Sequence, residues 1–561
     1  MRADLYTRPF KRLVDLLRLD RRDITYIYLF AVVGGAINLT LPLGIQAIIN
    51  LIGGGQLATS WVVLIVFVTV GVGFTGAMQV MQLILSEHIK QRLFVRSSLE
   101  FAFRLPNIRP DQLEGRYLPE LVNRFFDTLT VQKGLDKVLL DIPVSALQIV
   151  LGLILLSFYH PFFIAFALFL ILLLWAVFRI SGTRGLETSL QESKYKYATA
   201  YWLEELGRSN STFKLAGTTT LPLVRADELA TNYTKARKNH FKVLLGHYWA
   251  MVAFKTIVTL SLLILGGLLV MNERMNIGQF VAAEIVILLL LTAVEKVIMG
   301  LDSIYDVLTA LEKLANVTDL ALEPRSGLEL PMTIEQGGPM AVELRKVNFK
   351  SHWSGNPVIQ QLDLKVAPGE KVCISGPNGS GKSTLLHMIA GLIEPDQGTI
   401  LLDGHGLQSL NLEHVRSAMG DSFTHEEIFS GTVMENIIMG RPWISEDQAR
   451  QAAVRTGLIP MLADLPMGLL TQLDPLGSRL PQSLVRRIII ARCLAGRPRL
   501  VLYEDDALPM PANEHAVLLD LLTGTDAPFT LIAVSNDPLF QRHFQRVVRL
   551  ADGGLQDQLN R

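Results

Sequence analysis

The chain up to about residue 300 alternates between long apolar runs and long charged stretches. Six of the apolar runs are long enough to cross a bilayer, which takes roughly 20 residues in a helix. They lie at residues 27–52, 62–85, 138–158, 161–181, 247–271 and 279–300. This pattern predicts a polytopic α-helical membrane domain with six transmembrane helices.

The segments between these runs differ in charge. Residues 53–60 and 157–161 contain no Lys or Arg, whereas the N-terminal segment and residues 88–137 and 182–246 are rich in both. Because Lys and Arg concentrate in the cytoplasmic loops of membrane proteins, both termini are predicted to be cytoplasmic.

The charged stretches carry apolar residues at helical spacing, so the spans next to them are predicted to continue as helices well into the cytoplasm. Residues 9–20, PFKRLVDLLRLD, combine basic and apolar positions at the same spacing. They are predicted to form a short amphipathic helix in the membrane interface.

The sequence changes character after residue 320. Pro, Gly and Ser recur in residues 321–340, which predicts a linker. Short β-like runs follow, including AVELRKVNF, QLDLKVA, EKVCIS and GTILLD. The predicted organisation is a membrane domain at 1–320, the linker, and an α/β domain at 341–561.

Composition narrows the range of partners. Of the 561 residues, 50% are hydrophobic and 19% are charged, with a formal net charge of +0. The lipid bilayer is therefore the expected environment, and nothing suggests nucleic acid as a partner. Cys373 and Cys493 lie in the α/β part, which argues against a disulfide framework and fits a reducing cytosol.

A Gly-rich stretch predicts a nucleotide site. The pattern G-x-x-x-x-G-K-S runs from Gly376 to Ser383, between the apolar run KVCIS and the helix-like STLLHMIAGL. Backbone N–H groups and the helix N-terminus of such a loop hold phosphates. The Lys reaches the β- and γ-phosphates, and the hydroxyl binds Mg²⁺. The predicted ATP-binding residues are Gly376, Pro377, Asn378, Gly379, Ser380, Gly381, Lys382, Ser383 and Thr384.

These features together resemble an ABC exporter half-transporter, in which a six-span membrane domain is fused to a C-terminal α/β P-loop ATPase domain. Residues 119–135 are similar to the family's cytoplasmic segment after the second span. Residues 402–420, 430–440 and 486–505 follow its nucleotide-binding domain in order and spacing. The resemblance covers nearly the whole chain.

This resemblance implies ATP and Mg²⁺ as cofactors, a location in the cell inner (plasma) membrane, and transport of an unknown substrate. It also implies a dimer, in which each ATP lies between the phosphate loop of one chain and the signature motif of the other. The implied partners are a second copy or another ABC half-transporter, the transported substrate and a periplasmic adaptor.

The chain departs from the family at its signature motif. Where the family has LSGGQ, this chain has Leu480, Pro481, Gln482, Ser483 and Leu484. Pro481 has no N–H to offer a phosphate, and Gln482 and Ser483 place side chains where the backbone should approach closely. Proline is tolerated in a first helical turn, so the helix is expected to form while its phosphate contact is weakened.

The hydrolytic positions also differ. By resemblance, Glu504 takes the place of the magnesium Asp, and Asp505 takes that of the catalytic Glu. The shorter Asp505 withdraws its carboxylate by roughly 1 Å, and such a misplacement can cost on the order of 100-fold in rate. Asn536 replaces the switch His and cannot carry a proton. Thr424 replaces the glutamine that senses the γ-phosphate, so Ser383, Thr424 and Glu504 are the implied Mg²⁺ set.

Two further positions deviate. The adenine-stacking aromatic falls near Ser351, leaving Phe349, His352 or Trp353 as substitutes, and the loop after the acidic strand reads LPMP at 508–511. All these departures together predict reduced or absent ATP hydrolysis. Since the altered signature and the altered acids share one chain, they would weaken both ATP sites of any dimer.

Two functional hypotheses follow. The first is an ATP-driven exporter whose hydrolysis is weak or dependent on a partner. The second is an ATP-binding ABC-like membrane scaffold or regulator with little turnover. A membrane-anchored P-loop kinase of another family is disfavoured by the order of the motifs.

Charged residues within the spans are candidates for a membrane cavity. Lys255 lies in the fifth span and Glu284 in the sixth, while Glu295 and Lys296 lie near the inner end of the sixth. Such charges are costly in lipid and usually face a cavity or a partner. Lys255 and Glu284 are expected either to line a substrate path, paired with each other, or to form a structural pair or extend their charged groups to the membrane interface.

Overall fold

The computed structural model describes residues 4–53, 59–113, 115–159, 161–351, 355–424, 427–463, 465–477, 480–505, 512–525 and 527–558. The chain divides into two compact units. The first, the membrane unit, comprises Met1–Ile108 and Gly115–Ala321, and the second, the nucleotide-binding unit, comprises Arg109–Glu114 and Leu322–Arg561.

Helices make up the described part of the membrane unit. They are α1 Asp4–Arg18, α2 Arg21–Asn38, α3 Thr40–Gly53, α4 Thr59–Arg104, α6 Leu118–Asn123, α7 Asp127–Asp136, α8 Ile142–Tyr159, α9 Phe162–Arg208, α10 Asn210–Leu215, α11 Leu221–Met271 and α12 Ile277–Thr318; α5, Pro110–Leu113, is grouped with the other unit. The 46-residue α4 is roughly 69 Å long at 1.5 Å per residue. It therefore extends well beyond the thickness of a bilayer.

Five helical segments of the described residues are long and apolar enough to span a membrane. They are Arg21–Gly53, Thr59–Asn107, Leu118–Tyr159, Leu221–Met271 and Ile277–Thr318. The predicted span at 161–181 falls in α9, where many side chains are not described and only the shorter apolar stretch Phe163–Leu172 is found. The predicted count of six spans is not confirmed.

The basic helix α1 packs against the end of α12. Arg12 forms ion pairs with Glu312 and Asp319, the second at 2.6 Å, and Leu13 on the same helix is buried. One side of α1 is thus held by protein, while Phe10 on the helix remains exposed. Its location in the membrane interface stays a prediction.

The predicted pairing of Lys255 with Glu284 is wrong. The Lys255 ammonium lies 2.5 Å from Glu295 Oε2 instead. Helices α11 and α12 are joined by a short turn, and α12 starts with a capping box between Asn276 and Gln279. The short turn makes α11 and α12 antiparallel. A residue of α11 therefore lies opposite the residue of α12 that is about equally far from the turn, and for Lys255 that residue is close to Glu295, not Glu284.

The nucleotide-binding unit combines strands and helices. Its strands are β1 Val342–Lys350, β2 Pro357–Val366, β3 Lys371–Ser375, β4 Gln397–Leu402, β5 His405–Gly406, β6 Met419–Ser422, β7 Gly431–Thr432, β8 Gln472–Leu473, β9 Leu500–Glu504, β10 Thr530–Val534, β11 Arg546–Ala551 and β12 Gly554–Gln558. Its further helices are α13 Ile334–Gly337, α14 Lys382–Ile389, α15 Leu412–Ser417, α16 Val433–Ile438, α17 Glu446–Arg455, α18 Leu458–Met461, α19 Gln482–Ala495, α20 Ala512–Thr523 and α21 Pro538–Gln541.

Two sheets organise this unit. The larger has the order β12-β11-β3-β10-β9-β6, and its strands run parallel from β11 to β6. The smaller, β2-β1-β4-β5, is antiparallel. All five residues of β3 and of β10 are buried, as expected for central parallel strands covered on both faces. The carboxyl ends of β3, β10 and β9 therefore lie side by side, which is where α/β sheets bind ligands.

Candidate nucleotide-binding site

The phosphate loop connects β3 to α14, as the sequence predicts. Gly376 has φ 149° and Gly381 has φ 97°, both in the region that favours glycine. A Cβ on Gly376 would lie 2.2 Å from the Leu550 carbonyl oxygen, and one on Gly381 would lie 2.8 Å from a Val358 methyl. Glycine is therefore required at both positions for the backbone to follow this path.

Lys382 begins α14 and points back into the loop. Its ammonium donates to the carbonyls of Gly376, at 2.9 Å, and Pro377, at 2.8 Å. Burial lowers the pKa of Lys382 from its ordinary value, and the neighbouring carboxylate of Glu504 opposes that shift. A phosphate would offer the ammonium a charged acceptor in place of these neutral carbonyls.

Ser380 supplies a second group suited to an anion. Its hydroxyl oxygen is buried and has no hydrogen-bond partner among the described residues. A buried hydroxyl without a partner is costly, and a bound phosphate oxygen would accept a hydrogen bond from it. The Ser380 hydroxyl thus supports phosphate binding independently of the glycines and the lysine that define the motif.

Ser383 contacts Glu504 through its side chain, whereas Thr424 contacts it through its backbone N–H, so the place of Thr424 in the Mg²⁺ set stays a prediction. The Ser383 hydroxyl donates to Glu504 Oε1. The backbone N–H of Thr424 donates to Glu504 Oε2 at 3.2 Å. A serine hydroxyl and a carboxylate are the hard oxygen donors that Mg²⁺ prefers. The residues fit the ion, which would replace the direct hydrogen bond between Ser383 and Glu504.

Asn536 lies at the end of β10, next to the loop. Its side-chain Oδ1 accepts the backbone N–H of Gly376 at 3.0 Å. The asparagine therefore contacts the start of the phosphate loop itself. This contact is a neutral hydrogen bond, and the switch role that the family resemblance implies for Asn536 stays a prediction.

Asp505 accepts hydrogen bonds from two side chains of the nucleotide-binding unit. Its Oδ1 accepts from Arg486 Nη2 at 3.1 Å and its Oδ2 accepts from the Ser535 hydroxyl at 2.7 Å. Only 12% of its side chain is exposed. Arg486 also donates to the Tyr503 hydroxyl, so these contacts connect α19 to the ends of β9 and β10.

The signature-like segment starts α19. Pro481 occupies the N-cap with φ −58°, and its carbonyl accepts the N–H groups of Leu484 and Val485. The helix therefore forms across the substitution, as expected. Gln482 is exposed and Ser483 is half-buried, so their side chains occupy the surface where glycines would leave the backbone open.

The adenine side of the site differs from expectation. Phe349, one of the three predicted substitutes for the stacking aromatic, is 6% exposed and packs in the core of the unit. It cannot present a face to a base. His352, Trp353 and the LPMP segment at 508–511 lie outside the described residues.

Arg486 and Ser535 are the site residues that the sequence reasoning missed. Arg486 is a buried charge within the apolar run LVRRIIIA, and a buried arginine requires an acidic or carbonyl partner. An arginine within this apolar run therefore indicated that an acidic residue would lie next to it in the fold. Ser535 gave no signal, because a serine after a strand is ordinary.

Two family models match the chain, and both describe parts of one kind of protein. The ABC transporter transmembrane region matches residues 24–207, and the ABC transporter model matches residues 359–507. The chain therefore belongs to the ABC transporter superfamily. It is a multi-pass membrane protein whose membrane domain is fused to an ATP-binding domain, the arrangement of an exporter-type half-transporter.

The overall fold is also that of a known exporter. A solved structure of a bacterial Atm1-family ABC exporter with ATP bound is similar with a TM-score of 0.80. The similarity covers 96% of this chain and 95% of that chain, at 19% sequence identity. At this identity the comparison establishes the fold alone.

Curated relatives have diverse functions. The mycobactin import ATP-binding/permease protein IrtB of Mycolicibacterium thermoresistibile is 33% identical over 44% of this chain and 43% of its own. The α-hemolysin translocation ATP-binding protein HlyB of Escherichia coli O157:H7 is 25% identical over 53% and 42%. ABC transporter B family member 13 of Arabidopsis thaliana is 29% identical over 38% and 17%. The chain spans less than half the length of these relatives.

Proposed function

We propose that this chain is one half of an ABC transporter that binds ATP with Mg²⁺ and moves a substrate, whose identity is open, across the cell inner membrane. Both termini and the nucleotide-binding unit lie in the cytoplasm, in agreement with the charge of the loops. It acts as a dimer with a second copy or with another half-transporter. Hydrolysis is weak or depends on the partner.

The observation that carries this proposal is the arrangement around Glu504. The strand end brings its carboxylate to the Ser383 hydroxyl and the Thr424 N–H, beside a loop whose Lys382 and Ser380 can receive phosphates. When bound, Mg²⁺ would neutralise charge on the phosphates and orient them. Ser383 and Glu504 would hold the ion, while Lys382 would hold the β- and γ-phosphates.

Weak hydrolysis follows from Asp505. A general base must lie within hydrogen-bond reach of the water that it activates. Here Arg486 and Ser535 each donate to one carboxylate oxygen of Asp505, whose side chain is only 12% exposed. These contacts compete with a water for the carboxylate, which is also one methylene shorter than that of glutamate.

The same observation favours a second candidate, an ATP-binding ABC-like membrane scaffold or regulator. In such a protein, ATP binding would stabilise a conformation without being followed by rapid phosphate release. The two candidates share the binding site and differ in turnover.

Phosphate release and thermal stabilisation by ATP separate the two candidates. The purified chain in lipid nanodiscs is compared with Lys382→Ala and Asp505→Glu. A transporter shows phosphate release that Lys382→Ala abolishes, and Asp505→Glu raises it. A scaffold shows stabilisation by ATP in the wild type but release no faster than in Lys382→Ala. Absence of both effects would contradict the proposal.

A further inference from the structure

Helices α9 and α12 lie side by side in the membrane unit and run in the same direction. A Cβ on Gly185 of α9 would collide with the Tyr305 ring of α12. One turn further along both helices, the Ser189 hydroxyl lies 2.9 Å from the Thr309 hydroxyl. Residues that are 120 positions apart in the sequence therefore face each other across this helix pair.

Helix α7 packs against the same part of α12 in the opposite direction. A Cβ on Gly134 of α7 would collide with a Val307 methyl, and one on Gly300 of α12 would collide with the Ile142 side chain at the start of α8. Each step forward along α7 therefore corresponds to a step back along α12.

Both registers lead to Lys313, one turn beyond Thr309 on α12. Ser193 lies opposite Lys313 on α9, since it is one turn beyond the serine that contacts Thr309. Thr128 lies opposite Lys313 on α7, because each is six residues from the α7–α12 contact at Gly134. The side chains of three helices therefore meet at the level of Lys313.

Buried polar atoms at this level have no hydrogen-bond partner among the described residues. Thr128 is 0% exposed and Ser193 is 6% exposed, and both hydroxyl oxygens are without a partner. Arg124, one turn before Thr128, is 7% exposed. Its Nη2 donates to Glu120 Oε1 at 2.5 Å, but its Nε and Nη1 find no acceptor in the described part of the chain. We call Arg124, Thr128, Ser193 and Lys313 the polar layer.

The surroundings of the polar layer are rich in positive charge. Cations surround the centroid of the Tyr197 ring, namely Arg124 at 3.6 Å, Lys196 at 5.0 Å and Lys313 at 5.9 Å. The buried carboxylate of Asp127 accepts from the Tyr197 hydroxyl and lies 3.7 Å from the Lys196 ammonium. Lys313 is half-buried and forms no hydrogen bond or ion pair with the residues that the structure describes.

The polar layer thus offers donors and positive charge but lacks an acceptor that carries negative charge. Arginine cannot lose its proton in a protein, and a buried charge without a partner is costly. A water could bond to the hydroxyls but would leave the charge uncompensated. An anion accepts hydrogen bonds from N–H and hydroxyl donors together and neutralises the charge.

The size of the ligand follows from the packing. Thr128 and Ser193 are small side chains at the same level of α12, so they leave space beside Lys313. Packed helices have their axes roughly 8–10 Å apart, and such a space between them holds only a small ion.

We propose that the polar layer binds a small inorganic anion of the size of chloride. Lys313 and Arg124 supply the charge and the N–H donors, and the hydroxyls of Thr128 and Ser193 donate the remaining hydrogen bonds. The anion joins α7, α9 and α12. It therefore stabilises the membrane unit, separately from the nucleotide site.

Thermal unfolding of the full chain in lipid nanodiscs tests the proposal. Chloride is the probe, and the much larger gluconate replaces it at equal ionic strength. We expect the wild type to unfold a few degrees higher in chloride, with a dependence on chloride that saturates, because the anion binds only the folded chain. Lys313→Met and Thr128→Val should each lose most of this difference. Thr128→Val keeps the shape of the side chain, so it separates loss of the anion from loss of the fold.

The matched control is Lys194→Met, which alters an exposed lysine of α9 next to Ser193 and should keep the full difference. Crystals grown in bromide should show an anomalous peak at the polar layer. Equal unfolding temperatures of the wild type in the two salts, or a full difference in both Lys313→Met and Thr128→Val, would overturn the proposal. Density without an anomalous peak would mean a bridging water only and would overturn it as well.

Discussion

The two sides of the nucleotide site differ in how closely they follow the ABC pattern. On the phosphate-loop side, the chain has the Lys382, the Ser383 and the glycines of the ABC pattern. The neighbouring Ser380 hydroxyl is buried and has no hydrogen-bond partner among the described residues. On the hydrolytic side, Asp505 is held by Arg486 and Ser535. Binding and hydrolysis rely on different residues, so a chain can retain the first function while the second is weakened.

The largest expected effect is on the phosphate-loop side. Lys382→Ala removes the ammonium that would pair with the β- and γ-phosphates. We expect the affinity for MgATP to fall roughly a hundredfold, as for loss of one partner of a buried charge pair. Isothermal titration of the full chain measures it. An unchanged affinity would show that the loop does not bind phosphate as proposed.

A smaller effect is expected at the magnesium position. Glu504→Gln keeps the shape of the side chain and removes its charge, so the affinity for ATP with Mg²⁺ should fall by roughly tenfold or more. Affinity measured with EDTA should not change. Equal losses under both conditions would mean that Glu504 supports the loop and not the ion.

On the hydrolytic side, the prediction concerns the hydrogen bonds that Asp505 accepts from Arg486 and Ser535. The double variant Arg486→Met, Ser535→Ala removes both of these hydrogen-bond donors, and we expect phosphate release to rise by up to about tenfold because the carboxylate then has fewer competing donors. Ser417→Ala, which alters a half-buried serine of α15 that donates to the Glu413 carbonyl, is the control. A rate that stays the same in a folded variant would show that the contacts of Asp505 do not limit turnover.

The smallest expected effect is on stability, and it comes from Lys371, the first residue of β3. Lys371 donates to the carbonyls of Ala527 and Phe529, and burial lowers its pKa from 10.5 to about 8. The unfolded chain therefore binds more protons between these values, and stability rises with pH from about 8 to 10.5.

Comparison with Lys371→Met isolates this contribution. Between pH 7.5 and 9.5 the melting temperature of the wild type should gain a few degrees relative to that of the variant. A constant difference over this range would show that Lys371 does not titrate there.

The sequence predicted those features that depend on local patterns. The phosphate loop between β3 and α14 follows from a short motif with a strand before it and a helix after it. The start of α19 directly after Pro481 follows from the tolerance of proline at the beginning of a helix. Both features are determined by residues that are close together in the sequence, and for this reason both could be predicted.

Features that depend on contacts between distant segments were not predicted, or were predicted wrongly. The partner of Lys255 depends on how far each residue lies from the turn between α11 and α12, and that geometry selects Glu295. The burial of Phe349 depends on how two sheets pack together. The contacts of Asp505 require α19 to bring Arg486 to the ends of β9 and β10, which no local pattern specifies.

We propose that this pocket binds ATP but hydrolyses it poorly. The most direct test measures ATP affinity and steady-state phosphate release on the same nanodisc preparation of the wild type and Lys382→Ala. We expect the wild type to bind ATP far more tightly than the variant, yet to release phosphate well below about 1 per second, the lower end of typical enzyme rates. Release at or above that rate in the wild type, abolished by Lys382→Ala, would contradict it.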